Sequence, residues 1–319
     1  MISVALCTYN GERYIREQIA SILNQTRSVD EIVVCDDGST DNTLSFIADY
    51  RGRTSTDIHI YRNEKNIGVC ANFQKAIAHC KGDIVFLSDQ DDIWESNKVE
   101  TILKYFDANK LIQVIFTDAL LIDSTGNSEK IIPNNLWSFH FKKKDKEIFD
   151  YGIQMEPFLN GGNHATGATM AFRKEAVSNR SISDICQHGE VLHDYALAIY
   201  AAENNALGYI EKPLIRYRIH EEQTCGLIRG NATVDYQIYV IDTCVIPYLQ
   251  NPNAIEIAEF TKFRLQQTRK ALGLYGLFKK FGKYKLLYDG MAIRILCTDI
   301  SAWSKTIFVR IFSHPQVHS

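Results

Sequence analysis

The feature that most constrains this chain is a series of near-continuous apolar runs, alternating with helical patterns and each ending in a polar cluster. ISVALCTY (2–9), EIVVCDDG (31–38), IHIYRN (58–63), DIVFLSD (83–89) and LIQVIFTDALLI (111–122) have the Val/Ile-rich composition of strands covered on both faces. Between the first two, Ile15, Ile19, Ile22 and Leu23 fall on one helical face. Ser39-Thr40-Asp41 places capping residues ahead of Leu44, Phe46 and Ile47, and another helix is expected around 70–80. Strands alternating with helices predict an α/β chain with a Rossmann-like, mostly parallel central sheet flanked by helices. In such a sheet the ligand sits at the carboxyl ends of the strands.

Those ends read Thr8-Tyr9-Asn10-Gly11, Asp36-Asp37-Gly38-Ser39, Arg62-Asn63-Glu64-Lys65-Asn66 and Asp89-Gln90-Asp91-Asp92. Asn-Gly and Asp-Gly are turn formers and acids cap helices, so any single end has a bland explanation. Polar ends from four strands converging on one edge make a binding site the better reading.

The rest of the chain is less regular. Residues 126–160 have no clear period, and the basic stretch Lys142-Lys143-Lys144-Asp145-Lys146 reads as an exposed loop. ATGATMAFRKEAV (165–177) reads as a strand followed by a helix start, HDYALAIYAAEN (193–204) as a helix, and GYIEKPLIRYRIH (208–220) as two short strands flanking Lys212-Pro213. Beyond about residue 230 the pattern is helical. The expected organisation is therefore 1–225 as one α/β domain, with halves 1–125 and 126–225, and 226–319 as a helical C-terminal extension.

Bulk properties bound the function. A net charge of −3 in 319 residues gives no global signal for nucleic-acid binding. The eight cysteines are scattered without CxxC or Cys/His metal spacing, which predicts reduced thiols and a cytoplasmic chain. The first strand starts at residue 2, which leaves no room for a signal peptide, and no run approaches the roughly 18 apolar residues that span a bilayer.

Two motifs carry chemistry. Asp89-Gln90-Asp91 is a DxD arrangement at a strand exit, where alternate side chains can face one hard cation, Mg²⁺ or Mn²⁺, finished by water and phosphate oxygens. One of Asp91 and Asp92 is also expected to cap a helix beginning near Trp94, which does not exclude the other role. Trp94 itself could pack beneath the loop or stack near a sugar. Asp37 at the second strand end could accept the imide N–H of uracil or thymine, with Gly38 allowing a sharp turn. Thr8, Tyr9 and Asn10 would wall the base and ribose.

The runs CTYNGERYIREQIASILNQT, DEIVVCDDGSTDNT, NIGVCANFQKAI, GDIVFLSDQDDIWESNK and FTDALLID, taken in order, resemble glycosyltransferase family 2, and within it the rhamnosyltransferase-like branch of bacterial surface-polysaccharide enzymes. The likeness resumes at ATGATMAFRKE, HDYALA and PLIRYRIHEEQTCG. It implies the GT-A fold and an inverting, metal-dependent transfer from a nucleotide sugar. By the same resemblance Thr8, Tyr9, Asn10, Glu12 and Asp37 would hold the nucleoside, Asn66, Gly68 and Asn72 would line the pocket, and Asp89 and Asp91 would bind metal and diphosphate. His220 falls at a family position near the donor phosphates, as a metal or diphosphate contact, with Arg218 a second candidate. Gly167 would allow close approach of backbone to donor or acceptor, and the acidic base falls on Asp194. The family often has a bulkier aromatic pair where Tyr195 follows His193-Asp194.

Inverting transfer needs one base, because the acceptor hydroxyl attacks opposite the departing diphosphate and must lose its proton. A glycoside hydrolase would need two carboxylates flanking the bond. The implied partners are a dTDP- or UDP-linked sugar donor, L-rhamnose or a hexose, and a lipid-linked saccharide acceptor. A peripheral inner-membrane contact is expected from the basic C-terminal stretch with Trp303, Ile307, Phe308, Ile311 and Phe312 near Lys305 and Arg310. The competing readings are a sugar-nucleotide nucleotidyltransferase, which usually has a Gly-rich basic N-terminal loop where TYNGERYI has one glycine, and a non-catalytic saccharide-binding homologue. A nicotinamide dehydrogenase would carry GxGxxG after the first strand, and it is absent.

Overall fold

The structure is a computed structural model that describes residues 1–129, 136, 165–177, 182, 186, 191–221, 223 and 234–279. The strands are β1 (Ile2–Thr8), β2 (Glu31–Asp36), β3 (Asp57–Arg62), β4 (Ile84–Ser88), β5 (Ile93–Trp94), β6 (Val114–Ile122), β7 (Ala171–Arg173) and β8 (Leu207–Arg218). The helices are α1 (Ile15–Leu23), α2 (Thr43–Ala48), α3 (Val69–His79), α4 (Lys98–Ala108), α5 (His193–Ala202), α6 (Val234–Tyr239) and α7 (Pro252–Lys279).

One sheet runs in the order β3-β2-β1-β4-β7-β6-β8-β5. Neighbours β3, β2, β1 and β4 are parallel, as are β6 and β8, while β7 runs antiparallel between β4 and β6, and β5 antiparallel to β8. The period-2 alternation of each strand divides the core into two layers. Ala5, Val33, Cys35, Val85, Leu87 and Phe116 face α3 and α5. Val4, Leu6, Ile32, Val34 and Phe86 face α1 and α4. On α1 the buried residues Ile15, Gln18, Ile19 and Ile22 form one stripe at three- and four-residue spacing. Each fully buried Ile, Val, Leu or Phe contributes about 1.5–3 kcal/mol, so a shifted register would move a whole face into water.

Three local readings are corrected. Residues 207–218 form one strand rather than two, because a register shift between Thr117 and Asp118 absorbs Pro213, which pairs opposite Asp118. Trp94 does not open a helix. It lies in the two-residue strand β5, α4 starts at Lys98, and neither Asp91 nor Asp92 is a cap. The segment 165–177 holds a three-residue strand between two 3-10 turns, Gly167–Thr169 and Lys174–Val177. The helical region beyond 234 joins the α3/α5 layer through Val240, Ile241, Cys244, Ala254 and Ala258. The Lys142–Lys146 stretch and the aromatic and basic residues near Trp303 lie outside the described residues, and among those described no helix is long and apolar enough to cross a membrane.

Candidate active site

The parallel register brings the carboxyl ends of the strands to one edge. Thr8 pairs with Asp36, Asp36 with Arg62, and Leu6 with Ser88. Asn10 follows β1 in a left-handed conformation, φ 48°, and its amide N–H donates to Ser39 Oγ at 2.9 Å while its Oδ1 accepts from Thr40 N–H at 2.9 Å. Glu12 Oε2 accepts from the backbone and side chain of Asn42. Tyr9 is exposed, and its backbone is held by both ends of the Gln90 amide, at 2.8 and 3.0 Å. The first strand end is thereby bonded to the DxD loop.

Asp37 is buried and accepts three hydrogen bonds. Its Oδ1 accepts from Asn63 Nδ2 and Ile67 N–H, both at 2.8 Å, and its Oδ2 from Gly68 N–H at 3.0 Å. Gly68 has φ +87°, so its amide can turn towards the carboxylate without a Cβ penalty. Asn66 Oδ1 accepts from the same amide at 3.0 Å. Asn72 is buried, donating to Cys35 O at 2.8 Å and accepting from Asn63 at 2.9 Å. Asn63, absent from the expected set, is the hub that joins Asp37, Asn72 and, through Oδ1, Lys75 at 2.6 Å. A sequence signal for it existed, since it sits at the end of β3 among the polar strand ends.

The acid loop 89–92 follows β4. Desolvation pushes the Asp89 carboxyl up to about 7, helped by repulsion from Asp91 and Asp194. Asp91 Oδ2 lies 2.9 Å from His220 Nε2. Asp92 is buried, with Oδ1 accepting from Arg218 N–H at 2.9 Å, Oδ2 without a partner, and a pKa raised by burial and by its acidic neighbours. Among the described residues no group of three or more His, Cys, Asp or Glu side chains is arranged to hold a metal ion by itself. The donors present suit a hard cation whose remaining ligands come from a diphosphate, since Asp89 and Asp91 repel one another and both carry free acceptor capacity.

Arg218, expected at the donor phosphates, is turned inward. It is 1% exposed, stacked at 4.5 Å over Tyr14, and donates to Asp91 O at 2.7 Å and Glu17 Oε2 at 2.7 Å. Its Nε serves the backbone of the acid loop and one terminal nitrogen serves Glu17, so the planar donors support the loop from within the fold.

Across the site, α5 delivers His193 and Asp194. Asp194 is 8% exposed; its Oδ2 accepts from Gly167 N–H at 3.0 Å and its Oδ1 from Tyr195 N–H at 2.7 Å. The helix N-cap is Leu192, which places Asp194 inside the first turn. His193 stacks on Phe73 with centroids 4.0 Å apart, and neither ring nitrogen has a hydrogen-bond partner. A Cβ on Gly167 would lie 2.8 Å from His193 Nε2 and 3.4 Å from Asp194 Cβ. The start of α5 is therefore packed closely against Gly167.

Lys98, also unforeseen, has 0% exposure, and burial pulls its ammonium down to about 7 against the attraction of Asp92 and Asp89. Its position four residues before Ile102, on the apolar stripe with Val99 and Phe106, was the signal for it.

A family model described as Glycosyl transferase family 2 matches residues 3–179. An uncharacterized glycosyltransferase of Haemophilus influenzae is 37% identical over 308 residues, spanning 90% of this chain and 88% of that protein. The dTDP-rhamnosyl transferase RfbG of Shigella flexneri is 29% identical over 235 residues, spanning 69% of this chain and 73% of that one. Other curated relatives are matched over about half of their own length. Among solved structures, S. aureus TarS 1–349 in complex with UDP-GlcNAc aligns with a TM-score of 0.56 at 17% identity, over 81% of this chain and 70% of that chain. Mannosyltransferase PcManGT from Pyrobaculum calidifontis, in complex with GDP-Man and Mn²⁺, aligns with a TM-score of 0.50 at 15% identity, over 95% and 87%. These structural likenesses concern the fold, which is the GT-A type.

Proposed function

The chain belongs to glycosyltransferase family 2, and from that premise we propose that it is an inverting, metal-dependent transferase in surface-polysaccharide synthesis. The donor we propose is a dTDP- or UDP-linked sugar, with L-rhamnose favoured by the likeness to the Shigella rhamnosyl transferase. The acceptor is a lipid-linked saccharide, met at the inner face of the membrane.

One observation carries the reading. The acid loop at the end of β4 and the carboxylate at the start of α5 are joined through one turn, which donates Gly167 N–H to Asp194 Oδ2 at 3.0 Å and accepts Leu87 N–H at Met170 O at 3.1 Å. A displacement at an anomeric carbon needs this pairing of a diphosphate-binding side with a basic side.

In the proposed mechanism Asp37, with Asn63, Ile67 and Gly68, holds the 63–68 loop as one wall of the nucleoside pocket. Thr8, Tyr9 and Asn10 form the facing wall, and Gln90 ties that wall to the acid loop. Asp89, Asp91 and His220 are the residues that would hold Mg²⁺ or Mn²⁺. Bound there, the cation would neutralise charge on the leaving diphosphate as a Lewis acid. Asp194 accepts the proton of the attacking acceptor hydroxyl. Each of its oxygens is already given one backbone N–H and keeps a second lone-pair site for that proton. Those N–H bonds also fix the carboxylate's direction, so that it need not reorganise during the reaction.

The test is a panel of nucleotide sugars screened with Mn²⁺, first by thermal shift and then by transfer, in wild type and Asp194→Asn. A bound donor raises the melting temperature. The expected result is a donor that stabilises both proteins and is turned over about 10²–10⁴-fold more slowly by the variant. Equal turnover by Asp194→Asn, or stabilisation by no donor, would overturn the reading.

A further inference from the structure

Beyond the acid loop and β5 begins α4, whose first residue, Lys98, has an amine fully buried from water. Its Nζ donates to Ala168 O at 2.8 Å and lies 4.1 Å from the centre of the Trp94 ring. A buried ammonium is costly to desolvate, and an apolar side chain of the same volume is frequently the more stable choice. A lysine kept at such a place needs a reason beyond packing.

Ala168 provides it. It is the middle residue of the 3-10 turn Gly167–Thr169, closed by Thr169 N–H to Thr166 O at 2.9 Å and Met170 N–H to Gly167 O at 2.8 Å. At the front of that turn Gly167 N–H donates to Asp194 Oδ2 at 3.0 Å. Behind it Leu87 N–H donates to Met170 O at 3.1 Å, tying the turn to β4 just before the acid loop. A single tight turn is thus gripped by Lys98 at one carbonyl and grips Asp194 with one amide.

We propose that Lys98 is a positioning residue for the Asp194 carboxylate, acting through the turn Gly167–Thr169. The inference rests on the transferase reading for the role of Asp194, while the contact chain itself does not. The carboxylates of Asp92 and Asp89 attract the ammonium from the loop side. One buried charge therefore faces both the acid loop and the turn that orients the base, and Trp94 fixes its place from beneath. This gives the Trp94 and Lys98 pair a common purpose: the helix that closes the metal-binding loop also sets the direction of the base.

The test uses the full chain with Lys98→Met, which keeps length and apolar contact with Trp94, and Lys98→Gln, which can still donate to Ala168 O. Amide hydrogen exchange is followed at Gly167, with Leu6 and Val33 on the central strands as internal standards. In Lys98→Met, Gly167 exchange should rise about tenfold or more while the standards keep their protection, and Lys98→Gln should fall between it and wild type. With the donor identified by the panel, kcat of Lys98→Met should fall about tenfold or more at a donor KM within about twofold of wild type. In an Asp194→Asn background the same substitution should cost nothing further. Unchanged Gly167 exchange in a folded variant, or a loss confined to KM, would overturn the proposal. If Lys98→Met does not fold, Lys98→Gln decides by the same readouts. A wild type that turns over no donor refutes the transferase reading, and the exchange measurement still decides the contact chain.

Discussion

His220 Nε2 and Asp91 Oδ2 stand 2.9 Å apart, with side chains 8% and 13% exposed, and the residues are 129 positions apart in sequence. The imidazole of one strand end is thereby brought onto the carboxylate of another, while its own Nδ1 has no partner. A pair that is buried but only half satisfied is suited to opening around a cation. Asp91→Asn and His220→Ala should each keep the fold and lose the extra stabilisation that Mn²⁺ adds to a nucleoside diphosphate. Thermal shift with UDP or dTDP, with and without Mn²⁺, measures this, and a full metal response in either variant counts against the pair.

Asp89 gives a pH signature. Its carboxyl is raised from 3.8 to about 7 by desolvation first and by Asp91 and Asp194 next. The folded chain then holds the proton more tightly than the unfolded one. The resulting stabilisation is whole below the unfolded value and is lost as pH rises through the folded value. Relative to Asp89→Asn, the metal-free wild type should lose melting temperature as pH rises from about 4 to about 7. Mn²⁺ should reverse that loss, and its effect should shrink below about pH 7, where the proton competes. A constant difference between the two proteins across this range would show that Asp89 titrates normally.

Asp37 holds the 63–68 loop through three donors. Asp37→Ala takes the acceptor from Asn63 Nδ2 and the Ile67 amide and leaves Gly68 N–H only Asn66, a loss of about 1–3 kcal/mol if the donors remain buried. Binding of UDP or dTDP, measured by calorimetry, should weaken more than binding of acceptor. Equal losses for both ligands would place Asp37 outside the nucleoside pocket.

Gly167 has no room for a side chain. In Gly167→Ala the new methyl would sit 2.8 Å from an imidazole that is stacked on Phe73 and cannot swing aside. Overpacking of this kind costs about 1–3 kcal/mol. Because the same residue orients Asp194, kcat should fall more than the stability loss alone explains. Chemical denaturation paired with a transfer assay separates the two, and an active, destabilised variant would detach Gly167 from the site.

Much of the site was legible from residues 1–92. The apolar runs marked β1 to β4, and the polar clusters after them marked the edge where ligands bind. Asp37, Asp89 and Asp91 stood out there as carboxylates just after apolar runs, among polar ends from four strands. Less legible were the residues whose environment is assembled from afar. Nothing near Arg218 in the sequence shows that it bonds Asp91 O and Glu17, and nothing near Gly167 shows that α5 packs against it.

The sequence by itself determined β1 to β4, their two buried faces and the polar edge, because period-2 and period-3.6 burial are local properties of the chain. It could not determine which polar groups meet on that edge. The Gly167–Asp194, Lys98–Ala168 and Asp91–His220 contacts join residues 27, 70 and 129 positions apart. They exist because β7, β6 and β8 are placed beyond β4, and β5 folds back on β8. That order is a property of packing the whole sheet, so it decided which carboxylate is oriented by a backbone amide, which arginine is turned inward, and which lysine is buried between the acid loop and the base.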